Sequence, residues 1–469
     1  MTQKKKREFP HTYVIIFVII LIAGISTYVL PAGEYDRVQI EMPDGSSRTV
    51  VDPDTFHYVD SNPVPFFNLM QAVPKGLVAS AEVVFFIFVV GGAFGIINST
   101  GAILDGIRSL ALKFGGKETL MIPVIMTVFS LGGATFGMSE ETIVFVPIGI
   151  VLARSLGYDA VVGTAIVFSG AAAGFVGGWM NPFTVGVAQG IAELPTFSGI
   201  GFRLVLYVAI LASAILWTMR YANKVKEDPS YSFCRQLELD QASEVVEIDK
   251  DHGLTTRQKL VLVGFVLGMM ILVYGVLIHG WYMIEIAALF FTMGLVLGII
   301  GGISPNTMAE EFIAGAKDLA TGALVVGFSR GILVVLSEGV ILDTIIHGLA
   351  GTIQNLPRTV AAVGMFIVQS IMNFFIPSGS GQAGTTMPIM VPLADVIGMT
   401  RQTAVVAFQC GDGISNSIIP TGASLLAALG VAKIKYEEWV RFIWPLMVIQ
   451  SVIAAVFMVI ATFMNLGPF

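Results

Sequence analysis

Three acidic residues interrupt long uncharged stretches of this chain, where an isolated carboxylate is costly. Glu140 and Glu141 follow the uncharged run 119–139, and Asp412 lies between two glycines in another apolar stretch. At the centre of a bilayer a charge costs about 2.5–3.5 kcal/mol on insertion scales, so it is usually retained for a function. These acids could hold an ammonium or guanidinium group, or carry a coupling proton or sodium ion. A structural ion pair, or hydration at the membrane surface, is the alternative.

Small polar residues accompany the acids at four places where Gly and Pro would break a helix. These places are 137–142, 177–182, 377–382 and 411–416, the last closing at Pro420 and Thr421. A broken helix exposes N–H groups at one end, which suit a carboxylate, and carbonyls at the other, which suit a cation. Helix capping is the alternative role for each polar side chain. The predicted substrate-binding residues are Ser139, Glu140, Glu141, Thr142, Asn181, Ser378, Ser380, Gly381, Gln382, Asp412, Asn416 and Thr421.

Arg330 lies deep in an apolar stretch and is the candidate charge partner of the substrate or of the acids. It could bind a carboxylate bidentately, or it could neutralise a buried acid. Asp105 and Asp343 follow a repeated Ile-Leu pair and are expected to be structural. The glycines of 379–384 have the spacing of a dinucleotide loop, but no strand precedes them, so we interpret this segment as a hairpin tip.

Only a membrane protein accommodates this composition. Of the 469 residues, 55% are hydrophobic and 13% are charged, which is too little charge to cover a soluble protein of this size. The net charge of -7 argues against nucleic-acid binding. The five histidines have no metal-ligand spacing, and the two cysteines cannot form a disulfide framework. No catalytic set or P-loop is present, so neither an enzyme nor an ATP-driven pump is predicted.

Apolar stretches of about 20 residues predict the membrane segments. The first, about 12–30, is predicted to be a retained helix rather than a cleaved signal peptide. Two stretches, 119–156 and 359–398, could each be two spans or one re-entrant hairpin. The remaining segments lie near 78–98, 158–191, 199–219, 260–279, 281–301, 317–336, 401–431 and 440–464.

An internal repeat favours the hairpins. Residues 99–107 match 337–345 at six of nine positions, and further matches follow at an offset of 241 residues. With two hairpins the chain has nine crossings, and 19 of its 26 Lys and Arg residues lie on the cytoplasmic side, as the positive-inside rule requires. The N-terminus is then cytoplasmic and the C-terminus outside.

The chain is predicted to have five parts. They are an N-terminal helix and extracellular loop (1–75), a first inverted repeat (76–219) with hairpin 119–156 and broken helix 158–191, a cytoplasmic linker (220–259), scaffold helices (260–316), and a second inverted repeat (317–469) with hairpin 359–398 and broken helix 401–431.

Four ordered motifs also resemble a known family. They are Gly132–Glu141, Trp179–Phe183, Ser378–Ala383 and Phe408–Gly413, and they are similar to the YfcC-type carriers of the DcuC-like family of four-carbon dicarboxylate and amino-acid transporters. The resemblance implies an all-α membrane fold of the ion transporter superfamily, in which two inverted repeats carry broken helices and two re-entrant hairpins. It further implies a homodimer, an elevator mechanism and the cytoplasmic (inner) membrane of a prokaryote. Members described as arginine/ornithine antiporters resemble this chain at the Glu-Glu tip.

The sequence therefore predicts a secondary active transporter of a small-molecule substrate. The preferred hypothesis is exchange of basic amino acids, as in an arginine/ornithine antiporter. The alternative is proton- or sodium-coupled transport of four-carbon dicarboxylates or other small carboxylates. A channel or a membrane sensor without turnover is a further class. No cofactor is expected, apart from Na⁺ or H⁺ as a coupling ion, and the expected partners are the lipid bilayer and a second copy of the chain.

Overall fold

The computed structural model describes residues 12–41, 47–103, 105–106, 120–242, 254–279, 281 and 283–467. Within these ranges the regular structure is almost entirely helical, in agreement with the all-α prediction. Six helices are long and apolar enough to cross a membrane, or up to seven if one bent pair counts as a span. The six are Ala81–Ser99, Ala160–Ile191, Ile200–Glu227, Met283–Gly301, Arg358–Phe375 and Tyr436–Phe463.

The helices of the first half follow the predicted apolar segments, except for α2, which lies in the stretch predicted to be an extracellular loop. They are α1 (Thr12–Val29), α2 (Phe66–Ala79), α3 (Ala81–Ser99), α4 (Met121–Phe136), α5 (Thr142–Ser155), α6 (Ala160–Gly177), a one-turn π-helix (Pro182–Gly186), α7 (Val187–Ile191) and α8 (Ile200–Glu227). A short 3₁₀ turn, Pro229–Tyr231, and α9 (Arg235–Ala242) come next.

The described part of the second half contains helices α10 to α19. The elements are α10 (Thr256–His279), α11 (Met283–Gly301), α12 (Pro305–Asp318), α13 (Ala320–Glu338), α14 (Leu342–Ile353), α15 (Arg358–Phe375), α16 (Gly379–Ile397), α17 (Arg401–Ser415), α18 (Ala423–Ala432) and α19 (Tyr436–Phe463). By length and composition α15 could cross a membrane by itself, whereas the sequence prediction makes it one arm of a hairpin. Neither α17 nor α18 alone is long enough to cross a membrane, because the chain breaks between them.

Two short antiparallel strand pairs follow α1 in the polar stretch. Strand β1 (Gly33–Glu34) pairs with β4 (His57–Tyr58), and β2 (Arg37–Glu41) pairs with β3 (Ser47–Val51). The Asp343 carboxylate fixes this segment to α14, because it accepts hydrogen bonds from the Tyr35 backbone and, at 3.0 and 2.9 Å, from the Arg37 guanidinium. These contacts agree with the structural role expected of Asp343.

Glycine contacts define the course of α4 and α5 along α6. A β-carbon added at Gly170 would lie 3.0 Å from the Met126 backbone, and one at Gly174 would overlap the Ser130 backbone oxygen, so α4 and α6 run in the same direction. Gly149 of α5 approaches Gly163 near the start of α6, so α5 runs the opposite way. The turn between α4 and α5 therefore lies at the C-terminal end of α6. At about 1.5 Å per residue, α4 and α5 are about 24 and 21 Å long, less than the about 30 Å hydrocarbon core.

The second half has the same local arrangement. Gly411 of α17 contacts the backbone of Phe366 and Ser370 on α15, and it lies 241 positions after Gly170. Asn373, at the C-terminal end of α15, donates to the Asp412 carbonyl at 2.9 Å, so α15 and α17 are parallel. Helix α16 begins beside Asp412 and returns to the start of α17. In each half, the turn of a helix pair thus meets the break of the following helix.

The helices form two groups with separate cores. Helices α4–α8 and α15–α19, together called the hairpin bundle here, share the largest core, with α6 almost completely buried at its centre. Helices α1–α3 and α10–α13, the framework helices, form two smaller cores. The groups meet where Ile143 and Val144 of α5 and Ala427 of α18 join the core around α3 and α11.

The predicted cytoplasmic linker is not a simple loop. Its beginning is the C-terminal end of α8, and α9 follows within it, whereas residues 243–253 lie outside the described part. Ser232 donates to the Asp159 carboxylate at 2.7 Å, and Glu238 pairs with Arg154 at 2.9 Å. Burial raises the pKa of Asp159, and its hydrogen bonds from Ser232 and Tyr221 act in the opposite direction. These contacts hold the start of the linker against the C-terminal end of α5 and the start of α6.

Replacing Gly174 by alanine should destabilise the hairpin bundle by about 3 kcal/mol, because its β-carbon would overlap the Ser130 backbone and no side chain can move away. The measurement is the thermal unfolding of the detergent-solubilised protein. Gly201→Ala in α8 is the matched control, since nothing lies within 4 Å of its added β-carbon. Equal unfolding temperatures for the two variants would contradict the close α4–α6 packing.

Candidate functional site

A cavity of about 290 Å³ lies where the two helix-pair turns and the two helix breaks meet. Helices of both groups form its wall, and its polar residues come from six separate parts of the chain. The lining residues are Ala79, Ser80, Val83, Gly137, Ser139, Glu140, Glu141, Phe175, Phe183, Thr184, Met283, Val326, Arg330, Pro377, Ser378, Gly379, Ser380, Asn416, Thr421, Gly422, Ala423 and Ser424. This volume is at the lower end of the about 300–1,000 Å³ typical of small-molecule sites.

The first turn, 137–141, is shaped by Gly137 and Asn181. Gly137 ends α4 with φ 71°, a left-handed conformation that favours glycine, and an added β-carbon would lie 2.8 Å from the Asn181 Oδ1 atom. The same Oδ1 atom accepts hydrogen bonds from the backbone of Phe183 and Thr184, at 2.9 and 3.3 Å. Asn181 therefore caps the helix that restarts after the first break, and this turn packs directly on that cap.

The second turn, 376–378, is shaped by Ser378 and Gly379. Ser378 caps α16 through the Gly381 backbone N–H, at 3.4 Å. A β-carbon added at Gly379 would overlap the Thr184 methyl group and would lie 3.2 Å from the Asp412 Oδ2 atom. Glycine is thus required where the second turn meets both breaks. Across the site, the Ser139 hydroxyl donates to the Ser424 hydroxyl at 3.0 Å, which connects the first turn to the start of α18.

The cavity brings together most of the residues predicted from the sequence. Thr142 lines a smaller adjoining pocket of about 20 Å³. Four predicted residues line neither space: Asn181 and Gly381 take part in helix capping, Gln382 donates to Gln369 at 2.7 Å, and Asp412 is completely buried beside Gly379. The predicted residues that line the cavity are Ser139, Glu140, Glu141, Arg330, Ser378, Ser380, Asn416 and Thr421.

Three polar lining residues, Thr184, Ser424 and Ser80, are absent from the sequence prediction, as is Gly379. Thr184 and Ser424 follow the two breaks by a few positions, and Gly379 directly follows Ser378. Including the first helical turn after each predicted break would have found Thr184 and Ser424, whereas Gly379 already lies inside the predicted break 377–382. Ser80 had no such signal, because the junction between α2 and α3 is not marked by a glycine or proline pair.

The charged residues that line the cavity are Glu140, Glu141 and Arg330. Glu141 accepts a hydrogen bond from the Ser139 backbone at 3.0 Å, and Glu140 is close to the Ser139 hydroxyl. Arg330, on framework helix α13, has neither a hydrogen bond nor an ion pair among the described residues. The cavity thus presents one guanidinium and two carboxyl groups that form no ion pair with one another in the described part of the chain. Among those same described residues, no group of three or more His, Cys, Asp or Glu side chains could hold a metal ion.

Comparison with known proteins gives matches over nearly the whole chain. The model of a family described as C4-dicarboxylate anaerobic carrier, DcuC, matches residues 9–463. The chain is 39% identical over 472 residues, with 93% of each chain covered, to a protein of Escherichia coli strain K12 that is provisionally named basic amino acid antiporter YfcC. It is 28% identical over 498 residues, with 98% of each covered, to an uncharacterised protein of Haemophilus influenzae.

Two solved structures align with the chain at low similarity. The YdaH transporter of Alcanivorax borkumensis has 15% sequence identity and a TM-score of 0.44, and the alignment covers 98% of this chain and 100% of that one. MtrF of Neisseria gonorrhoeae, described with a class of antimetabolite efflux pumps, has 16% identity and a TM-score of 0.41, with 97% and 96% covered.

Proposed function

The chain belongs to the DcuC family of C4-dicarboxylate anaerobic carriers, whose members are transporters and not enzymes, and on this premise we propose that it is a secondary transporter exchanging basic amino acids. The substrate would bind in the cavity between the two turns. The Escherichia coli relative, with its provisional name of basic amino acid antiporter, supports this choice within the family.

The observation that carries the proposal is the charge distribution of the cavity. An unpaired guanidinium suits the α-carboxylate of an amino acid, which it can bind through two parallel hydrogen bonds. Glu140 and Glu141 suit the cationic end of the same molecule. Arginine and ornithine carry one carboxylate and two cationic groups, so they match one basic and two acidic residues.

A four-carbon dicarboxylate is the second candidate, because the family model bears that description. Such a substrate needs cationic or N–H partners at both ends. Arg330 supplies one, and the start of α16 at Gly379 supplies free backbone N–H groups for the other. Two carboxyl groups in the same cavity would repel it, and for this reason the basic amino acid is preferred.

The transport mechanism is proposed from the two helix groups. We infer that the helix pairs α4–α5 and α15–α16 are re-entrant hairpins in two inverted repeats, and that the hairpin bundle moves as an elevator against the framework helices. Separate cores and the matching packing of Gly170 and Gly411 support this. We further propose that the protein is a homodimer in the inner membrane of a prokaryote. Its N-terminus would be cytoplasmic and its C-terminus outside.

Exchange in proteoliposomes tests the function. Vesicles loaded with ornithine should take up labelled arginine, and unloaded vesicles should not. Uptake should saturate with arginine and depend on the internal amino acid, unlike flux through a channel. Exchange of succinate with no exchange of arginine would instead establish the dicarboxylate alternative.

A further inference from the structure

We propose that Arg203, Gln189 and Gln402 form a closed binding site for a small monovalent anion, of which chloride fits best. The site lies at the start of α8, at the opposite end of this helix from the linker. None of the three residues lines the cavity described above. The proposal does not rest on the proposed function, because it concerns a charge that the fold itself encloses.

The Arg203 guanidinium is enclosed by protein but mostly unpaired. The residue lies near the start of α8, and its exposed fraction is 1%. Its Nη2 atom donates to the Ser198 carbonyl, whereas the Nε and Nη1 atoms have no hydrogen-bond partner among the described residues. A guanidinium keeps its charge in proteins, and enclosing it without a counter-charge is very unfavourable. Arg203 therefore requires an acceptor that carries a negative charge.

The carboxylates of this region do not supply that charge. Arg203 forms no ion pair within the part of the chain that the structure describes. The exposed carboxylates of Glu193 and Asp395 pair instead with Arg401, at 2.7 and 2.9 Å. Two carboxylates thus bind the arginine nearer the surface, and the buried arginine is left without a counter-charge from the described residues.

The side chains around the Arg203 guanidinium are also hydrogen-bond donors. The Ser198 carbonyl accepts from Arg203 and, at 2.9 and 2.5 Å, from the Nε2 atoms of Gln189 and Gln402. Three donors exceed the two lone pairs of a carbonyl oxygen. The same two amides share the Ser198 hydroxyl, each at 3.2 Å, and both glutamines are completely buried. An excess of buried N–H donors at one point is the environment that binds an anion.

The charge and the enclosure of the site determine the kind of anion. Arg203 carries one positive charge and the two glutamine amides are neutral, so one monovalent anion balances the site. Complete burial favours a small ion that accepts N–H groups from several directions. A lipid phosphate remains attached to its acyl chains, which a closed site excludes. Chloride meets both requirements.

A bound anion would connect the two halves of the chain. Gln189 belongs to α7, which ends the first broken helix, and Gln402 lies at the start of α17 in the second half. Arg203 begins the helix that follows α7. The anion would hold these three helix ends together within the hairpin bundle, so its expected effect is on the stability of the bundle.

Thermal unfolding of the purified full-length protein in sodium chloride and in sodium gluconate tests the site without any substrate. The sodium concentration and pH are the same in both solutions, and gluconate is too large to enter a closed site. The wild type should unfold about 3 °C higher in chloride, because a ligand that binds only the folded state stabilises it. Arg203→Met should lose this difference, whereas Arg220→Met, at an exposed position of α8, should keep it.

Gln402→Glu tests the site while keeping the arginine. Both side chains reach the Ser198 carbonyl, so the new carboxylate would lie close to Arg203 and would replace the anion as its counter-charge. This variant should unfold at the same temperature in both salts, and in gluconate it should be at least as stable as the wild type. Gln354→Glu, at an exposed position directly after α14, is the matched control and should keep the chloride response.

The proposal is overturned if the wild type unfolds at the same temperature in both salts. A wild-type difference between the salts in Gln402→Glu, or in a folded Arg203→Met protein, would overturn it as well. Because the readout is anion binding, the result does not depend on whether the protein exchanges arginine.

Discussion

Replacing Arg330 by alanine is expected to lower arginine uptake at sub-saturating concentration by about 100-fold. The reason is the loss of the guanidinium that binds the substrate carboxylate. Truncating one partner of a buried, hydrogen-bonded charge pair costs about 2–5 kcal/mol, and about 1.4 kcal/mol is tenfold in affinity. The measurement is the initial rate of labelled arginine uptake into ornithine-loaded proteoliposomes. Arg330→Lys should retain part of the activity, because lysine keeps the charge but not the bidentate geometry.

An exposed arginine on the hairpin bundle provides the control for this prediction. Arg220 of α8 is exposed and does not line the cavity, so Arg220→Ala should transport at the wild-type rate. The interpretation requires that Arg330→Ala is folded, which its unfolding temperature and elution as a single species establish. A folded Arg330→Ala protein with wild-type arginine uptake would show that Arg330 does not bind the substrate carboxylate.

Replacing both glutamates of the first turn by glutamine is expected to remove the preference for a cationic side chain. In Glu140→Gln/Glu141→Gln, uptake of arginine should fall by at least about 30-fold, since a desolvated charge-assisted contact contributes about 2 kcal/mol. Competition by citrulline, the neutral isostere of arginine, should become as effective as competition by arginine. The measurement is inhibition of labelled ornithine uptake by each compound.

Single substitutions distinguish the contributions of Glu140 and Glu141. Glu141 already accepts a backbone hydrogen bond from Ser139, so Glu141→Gln also tests the shape of the turn, whereas Glu140→Gln leaves that bond in place. Glu227→Gln, at an exposed position of α8, should change neither rate nor selectivity. If the double variant still discriminates arginine from citrulline, the cationic group binds elsewhere and the orientation of the substrate proposed above is wrong.

The sequence predicted the first helix break closely because its signals are local, whereas α17 continues to Ser415, through most of the break predicted at 411–416. Gly137 and Gly178 have left-handed backbone conformations at the ends of α4 and α6, and Asn181 with Pro182 starts the next helix. Each signal depends on a few neighbouring residues, which a single sequence contains. The regions of the two turns were predicted for the same reason.

The sequence predicted many, but not all, of the polar side chains that face the cavity. The positions of the Asp412 and Thr184 side chains depend on packing between segments that are distant in the sequence. A single sequence does not show where the second turn contacts the first break. Ser80 enters the cavity because α2 and α3 meet there, and the polar stretch containing α2 gave no periodic apolar pattern strong enough to predict a helix. The strand pairs between α1 and α2 were missed because they lie in the same polar stretch.

Sided labelling of the hairpin ends tests the central claim, that each helix pair enters and leaves on one face and the turns meet within the membrane. Single cysteines at Leu120 and Ser155, and at Arg358 and Val396, would be placed in a chain whose buried Cys234 and Cys410 are replaced by serine. All four positions are exposed in the structure.

An impermeant thiol reagent would then be added to intact cells or to inside-out vesicles. We expect Leu120→Cys and Ser155→Cys to react only from the cytoplasmic face, and Arg358→Cys and Val396→Cys to react only from the outside. Reaction of the two ends of either pair from opposite faces would show full crossings and would contradict the account.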